Sequence, residues 1–248
     1  MQVLVVGLGH VGNAIQSLTN RKNDVYTIDL DSPMKSISPE IMHICYGYND
    51  NFISETIRYI ETYKPKLTII ESTVLVGTTK KIADRSHAGI VHSPVVGRDS
   101  DDMANCLLSY TKYIGAPDGD TKWTSMAQDY YKKLGVTTKI STSSRETELA
   151  KLLETTYYGL MISWFQEIDR ICDNLGANFD EVSDFIGRIT DESKGKHMRP
   201  IFKPGFIGGH CVIPNAKILS KAYSSDFIDA ILRSNDKTKA KLGQTKSS

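Results

Sequence analysis

The run Gln2–Val6 (QVLVV) leads directly into Gly7-Leu-Gly9-His-Val-Gly12, and Asn13–Leu18 (NAIQSL) follows with helical character. No other stretch restricts the possible folds as much. An apolar, β-branched run of this kind suits a strand buried on both faces of a parallel sheet. A GxGxxG triplet alone is weak evidence, but the order strand, glycine loop, helix is the arrangement that holds a dinucleotide. Gly7 permits the tight turn, Gly9 lets the backbone approach a pyrophosphate, and Gly12 lets the helix pack on the strand. His10 and Val11, between the second and third glycines, are expected to contact the cofactor, and the helix N-terminus offers N–H groups and a positive dipole end to phosphates. A second strand, Val25–Ile28, ends at Asp29. An acid there accepts hydrogen bonds from an adenosine ribose, and no arginine directly follows it, so NAD is expected rather than NADP.

Alternation continues through the first half of the chain. The connection from Leu30 to Glu40 holds two prolines and three serines, which leaves little room for a full helical crossover. Met42–Tyr46 reads as the third strand, which places Tyr46 among the expected cofactor contacts. Phe52–Tyr63 reads as a helix, Leu67–Ile70 as a strand, and Gly77-Thr-Thr79 as the entry to another helix. Ser72 and Thr73 follow the Leu67–Ile70 strand, where residues face a ligand crevice. They are candidates to line a nicotinamide pocket or, equally, to cap the next helix. Further strands are expected over Gly89–His92, Tyr110–Gly115 and Val136–Ile140, with a helix over Thr121–Leu134. Asp99, Asp101 and Asp102 form an acidic patch expected in a turn or a helix start.

The pattern changes at Ser143, which has capping-box spacing with Glu146. Apolar residues then recur at helical spacing from Leu149 through Leu175 to a stop at Gly176. That predicts one helix of about 30 residues, roughly 45 Å long, more than one small domain needs. It is expected to act as an interdomain spine or a dimer contact. Lys151 and Thr155 lie one turn apart on its less apolar side. Asn178 and Glu181 begin a further helix through Ile186, and Ala216–Tyr223 and Ile228–Asp236 read as two more. The fold class is thus α/β: a Rossmann-like doubly wound parallel sheet over residues 1–142, then an all-α domain over 143–240 built on the long helix. Residues 241–248 are expected to be a disordered tail.

Lys203–Asn215 (KPGFIGGHCVIPN) holds three glycines and two prolines and reads as a shaped loop. Its thiol, Cys211, follows Gly208, Gly209 and His210; a nearby imidazole and free N–H groups favour the thiolate. The alternative is a small buried cysteine in a turn. The formal net charge of +1 gives no field to recruit nucleic acid or an anionic membrane. The four cysteines are widely spaced with no zinc-type pattern, so no metal is expected and reduced thiols in a cytoplasmic setting are. No signal peptide and no membrane span are expected.

Taken in order, GLGHVG with Asp29, Ser72-Thr73-Val74 with Gly77-Thr-Thr79, Glu148-Leu-Ala-Lys151 and Pro204-Gly-Phe-Ile-Gly-Gly-His-Cys211 resemble the UDP-glucose/GDP-mannose dehydrogenases, including UDP-N-acetylmannosamine dehydrogenases. Ser234-Asn-Asp236 resembles the end of that family's central domain. The resemblance implies oxidation of a sugar C6 alcohol to a carboxylate with two NAD. Cys211 would attack the intermediate aldehyde and Lys151 would stabilise a developing alkoxide, while Thr73 would position water or nicotinamide. It implies a homodimer through the 143–176 helix, and substrate contacts from Asp99, Thr155, Lys203, Gly208 and Gly209. Asn215 is placed with Cys211, Lys151 and Thr73 at the catalytic positions, but three positions depart from the pattern: Thr155 replaces an asparagine, Asn215 an aspartate and Val95 a glutamate, and an amide at Asn215 cannot serve as a carboxylate base. Against the family's pattern, the resemblance covers residues 1–240 and is not expected to include the family's third, sugar-nucleotide-binding domain. Two other readings stay open: a one-step hydroxyacid-type dehydrogenase that uses Lys151 without Cys211, and a non-catalytic NAD-binding or partner-binding module.

Overall fold

A computed structural model describes residues 1–29, 36–97 and 103–244 of the chain. Asp99, Asp101 and Asp102 lie outside the described residues. Five parallel strands, β1 (Gln2–Val6), β2 (Asp24–Ile28), β3 (Ile41–Ile44), β4 (Leu67–Ile70) and β5 (Ile90–His92), form a sheet in the order β2-β1-β3-β4-β5. Register runs Val3↔Val25 and Val3↔Ile41 on the two sides of β1. Because successive side chains point to opposite faces, each strand feeds two cores. Val3, Val5, Ile41, Leu67, Ile69 and Val91 pack on one side. Leu4, Val6, Met42, Ile44, Ile70 and Ile90 pack on the other.

Helices cover both faces, as a doubly wound sheet requires. On the first face lie α1 (His10–Thr19), α4 (Met103–Ser109) and α5 (Thr121–Leu134), contributing Ile15, Leu18, Leu107, Ala127 and Tyr131. On the second lie α2 (Phe52–Tyr63) and α3 (Thr78–Ser86), contributing Phe52, Ile57, Ile60 and Ile82. The strand order reverses between β1 and β3, so the crevice at the carboxyl ends of these strands is the natural ligand edge.

The last two strands do not extend this sheet. β6 (Lys112–Ile114) and β7 (Thr138–Ile140) form a separate parallel pair, joined to β5 through the antiparallel bridge His92↔Gly115. Gly115 is also pressed against the backbone that follows: a Cβ there would lie 2.3 Å from the Ser143 carbonyl oxygen.

The long helix is present as α6 (Ser144–Leu175), 32 residues or about 48 Å. Ser143 Oγ donates to Glu146 Oε2 at 2.6 Å and accepts from the Arg145 N–H at 3.1 Å, starting the helix. Gly176, at φ +70°, ends it. The chain divides into two compact units, Met1–Lys151 and residues 152 onward, and the division falls inside α6.

In the second unit, Phe165, Ile168 and Cys172 of α6 pack with Phe179, Val182 and Ile186 of α7 (Phe179–Glu192). Ile207 and Val212 pack with Ile231, linking α8 (Val212–Ala222) to α9 (Asp226–Gln244). Three expectations are corrected here. Helix α7 starts at Asn178 as predicted, where the Asn178 side chain accepts from the Asp180 and Glu181 N–H groups, but it runs to Glu192 rather than Ile186. Val212–Asn215 is the first turn of α8 rather than loop, because proline is tolerated in a first turn, where its missing N–H costs nothing. The expected tail over 241–248 is helical as far as Gln244, with Lys241 Nζ bonded to Asp169 Oδ2 at 2.7 Å and Asp173 Oδ2 at 2.5 Å.

Candidate functional site

At the carboxyl edge of the sheet, the glycine turn has the geometry its spacing predicts. Gly7 sits at φ +91°, and its N–H donates to the Ile28 carbonyl at 2.8 Å, tying the turn to the end of β2. A Cβ on Gly7 would lie 2.8 Å from the Tyr46 nitrogen, and one on Gly12 would lie 1.8 Å from the Gly7 oxygen. Only hydrogen fits at either place. Gly9 differs: nothing stands within 4 Å of a Cβ built there, and as the N-cap of α1 it supplies no side-chain acceptor. Backbone can thus be approached closely at Gly9, at the N-terminal end of α1, and helix N-termini are the ends that favour anions. His10 is exposed and Val11 half-buried behind it. Asp29 is exposed one residue past β2.

Tyr46 is a wall of this edge, not a free hydroxyl. Its ring packs on Phe52 and Tyr59. Thr56 gives its own proton to the Phe52 carbonyl at 2.7 Å, so the Tyr46 hydroxyl donates to Thr56 Oγ1 at 2.6 Å. Burial raises the Tyr46 phenol above its usual range.

The segment after β4 is fastened from three sides. Ser72 is buried, and its hydroxyl lies 2.6 Å from the Tyr46 carbonyl and 3.1 Å from that of Ile44, bracing the ends of β3 and β4. Thr73 is half-buried beside it. Neither residue caps α3. That cap comes from Glu148, on the second turn of α6, which accepts from the Gly77 N–H at 2.6 Å, the Thr79 N–H at 2.8 Å and the Thr79 hydroxyl at 2.6 Å. Burial raises the Glu148 carboxyl above its usual range, and these bonds oppose the shift. His92, at the end of β5, places Nε2 3.1 Å from the Ser72 carbonyl and Nδ1 2.8 Å from Thr147 Oγ1. Burial, with the Lys112 and Lys151 charges nearby, holds His92 down to about 3, so the ring is neutral at physiological pH. Its Nε2 carries the proton that the Ser72 carbonyl accepts. Half-buried Lys151 lies one helical turn beyond Thr147 and Glu148.

Beneath this edge is a buried ionic cluster absent from the sequence-based site. Glu71 Oε1 accepts from His43 Nδ1 at 2.9 Å and the Tyr131 hydroxyl at 2.6 Å, and Oε2 accepts from Lys112 Nζ at 2.5 Å. Lys112 also donates to the Ser93 carbonyl at 2.6 Å, and His43 Nε2 meets the Tyr130 hydroxyl at 2.9 Å. Burial alone would raise the Glu71 carboxyl, but Lys112 and His43 outweigh it and hold Glu71 down to about 2. The available signal was an ionisable residue (His43, Glu71 and Lys112) in or directly beside each of three strands, where apolar residues are the rule.

In the second unit, the Lys203–Cys211 segment presents Lys203, Gly208, Gly209, His210 and Cys211 to solvent. It is pinned from below. The Ile207 N–H donates to Asn235 Oδ1 at 2.7 Å, Asn235 Nδ2 donates to the Ile207 carbonyl at 3.2 Å, and Gln166 Nε2 donates to the Gly205 carbonyl at 2.8 Å. Gly209 turns the chain at φ +82°. Cys211 is then the N-cap of α8, with an exposed thiol. Thr155 and Asn215, both buried, meet at 3.2 Å. Among the described residues no group of three or more His, Cys, Asp or Glu side chains could hold a metal. No described helix is long and apolar enough to cross a membrane.

A parallel 2-1-3-4-5 sheet with a glycine turn at its switch point, followed by helices arranged on one long helix, defines a Rossmann-like α/β protein with a helical second unit. Comparisons narrow the class. Residues 145–237 match the central domain of the UDP-glucose/GDP-mannose dehydrogenase family. The UDP-N-acetyl-D-mannosamine dehydrogenase of Methanocaldococcus jannaschii is 29% identical over 249 residues, covering 95% of this chain and 54% of that protein. The solved UDP-D-ManNAc dehydrogenase of Pyrococcus horikoshii superposes with a TM-score of 0.83 at 18% identity, over 98% of this chain and 70% of that one. The 3-hydroxyisobutyrate dehydrogenase of Mycobacterium tuberculosis shares the fold at a TM-score of 0.67 and 13% identity, over 95% of this chain and 91% of that one. The chain is thus similar to UDP-glucose/GDP-mannose dehydrogenases over residues 145–237 by family and more widely by individual relatives, and it spans about half the length of the curated relatives it matches.

Proposed function

We propose that this chain is an NAD-dependent oxidoreductase acting on a primary alcohol of a sugar or nucleotide sugar. The observation that carries the reading is the open glycine turn: Gly12 is in contact with Gly7, Gly9 faces free space, and exposed Asp29 stands at the end of the adjacent strand. These residues fit a dinucleotide. The N–H groups at the start of α1, from His10 and Val11 onward, would hold its pyrophosphate, and Asp29 would accept from its ribose hydroxyls. Tyr46 and Ser72 would wall the pocket, and Thr73 would position nicotinamide or water. NAD, when bound, supplies the hydride acceptor.

The chain's own groups account for the remaining chemistry. Lys151 would stabilise the alkoxide as the alcohol loses its proton. The Cys211 thiolate would add to the aldehyde carbon to give a thiohemiacetal. Loss of hydride from that carbon leaves a thioester, and water then cleaves the C–S bond to release the carboxylate. Lys203, Gly208, Gly209 and Asp99 are assigned to substrate contact, and Thr155 and Asn215 to support of the site. A homodimer through α6 is supported by an exposed apolar stripe of Leu149, Leu153, Tyr157, Trp164, Ile171 and Leu175, spaced along one helix face.

One observation favours a second reading. The chain matches nearly the full length of a hydroxyacid dehydrogenase fold, which is compatible with a one-step oxidation through Lys151 alone. Turnover with NAD across nucleotide sugars, free sugars and small hydroxyacids separates the two. Two NADH per substrate, abolished in Cys211→Ser, is the expected result; one per substrate, retained in that variant, selects the second. NAD binding without turnover on any substrate would overturn both and leave a binding module.

A further inference from the structure

Two departures from the family pattern, Thr155 and Asn215, are partners in one hydrogen bond. Both side chains are more than nine-tenths buried. The Thr155 hydroxyl donates to the Leu152 carbonyl at 3.0 Å, so its oxygen faces Asn215 as an acceptor, and Asn215 Nδ2 supplies the proton at 3.2 Å. Residue 215 must therefore be a donor. An amide meets that demand, whereas an ionised carboxylate cannot unless Thr155 abandons Leu152. The backbone N–H of Asn215 donates to the Cys211 carbonyl at 2.9 Å, closing the first turn of α8.

One turn further along α6, Gly159 does the complementary work. A Cβ there would lie 2.6 Å from Val212 Cγ1 and 3.4 Å from Ile231 Cγ2. Val212 directly follows Cys211, so a side chain at 159 would lift the first turn of α8. On the other side, Asn235 clamps Ile207. Cys211 thus stands between a segment clamped at Ile207 and a helix clamped at Val212 and Asn215, with its thiol exposed.

We infer that Thr155, Gly159 and Asn215 are positioning residues: they seat the first turn of α8 on α6 and so set the place of the Cys211 thiol. Asn215 is a strut and takes no proton. The inference rests on the oxidoreductase reading for the use of the thiol, though not for its placement.

The test is peptide-resolved alkylation by iodoacetamide, with half-buried Cys106 in the same molecule as internal reference. Thr155→Val removes the acceptor while keeping the shape; Thr155→Ser keeps the hydroxyl. Thr155→Val is expected to change the Cys211 rate by about fivefold, with Thr155→Ser and the Cys106 reference within about twofold of the parent. Asn215→Asp is expected to change the Cys211 rate similarly. The double variant Thr155→Asn/Asn215→Asp, which puts the donor on α6 instead, should restore it, and this arm stands if Thr155→Val does not fold. An unchanged Cys211 rate in Thr155→Val, a parallel change at Cys106, or no rescue by the double variant would each overturn the inference. NADH formation is followed separately, so an inactive protein with the expected alkylation pattern would count against the oxidoreductase reading and leave the positioning intact.

Discussion

Glu71 and Asn215 both lie buried under a segment assigned to chemistry, yet they are held in opposite ways. Glu71 is an ionised carboxylate compensated by Lys112, His43 and Tyr131. Asn215 is a neutral amide paired with a neutral hydroxyl. A buried ion network is costly to break, because removing one partner leaves an uncompensated charge away from water. A neutral pair loses only one hydrogen bond and the pairing of one group. The carboxyl edge of the sheet is therefore held rigidly and responds to pH, while the foundation of Cys211 does neither to the same degree.

The largest expected effect breaks the charged side of this comparison. Glu71→Gln leaves Lys112 buried without its counter-ion and should lower unfolding free energy by about 3–5 kcal/mol, read from the midpoint of a urea transition. A native-like midpoint would show that the network is already compensated elsewhere.

Acid should reveal the same difference more gently. The folded state holds His92 at about 3, below its ordinary 6.5, so between those values the unfolded chain binds the extra proton. Stability is complete above pH 6.5 and falls as pH falls, by about 1.4 kcal/mol per pH unit from this group. Glu71, held at about 2 against an ordinary 4.5, adds a loss of the same sign below pH 4.5. Between pH 6.5 and 5 the first unit should lose about 2 kcal/mol, and His92→Gln should flatten that slope. Stability measured across this range in both proteins checks it.

Smaller still is the neutral side: Thr155→Val should cost about 1 kcal/mol and leave the acid slope of the parent unchanged. Smallest is Gly9→Ala, expected within about 0.5 kcal/mol of the parent because open space receives the methyl group. Gly12→Ala, whose methyl would meet the Gly7 carbonyl, should be clearly worse. If the two alanine variants are equally stable, the distinction between an open and a packed glycine fails.

Much of the first unit was legible because its signals are local. The unbroken apolar run of β1, the φ of Gly7 and the capping pair Ser143–Glu146 involve residues near one another in the chain. The helix over 143–176 was legible for the same reason, since its apolar spacing persists for many turns. What periodicity could not divide was that apolar set: Phe165, Ile168 and Cys172 pack inward, while Leu153, Tyr157 and Trp164 stay exposed. The start of α8 was obscured because proline and glycine read as breakers without knowledge of where a first turn begins. The expected strand over Val136–Ile140 is found over Thr138–Ile140, but its place in a second, separate pair was not legible.

Sequence alone determined the five parallel strands, most of the helices, the glycine turn with Asp29, the family resemblance and the long helix, because backbone propensity, burial period and motif spacing act over a few residues. Tertiary structure decided the rest. Glu148 became the cap of α3, Ser72 became a brace between strands, Glu71 gained Lys112 and His43, and Thr155 met Asn215. Each of these pairs joins residues 26 or more positions apart. Desolvation makes such pairing obligatory for a buried polar group, but only the folded chain decides which partner it finds.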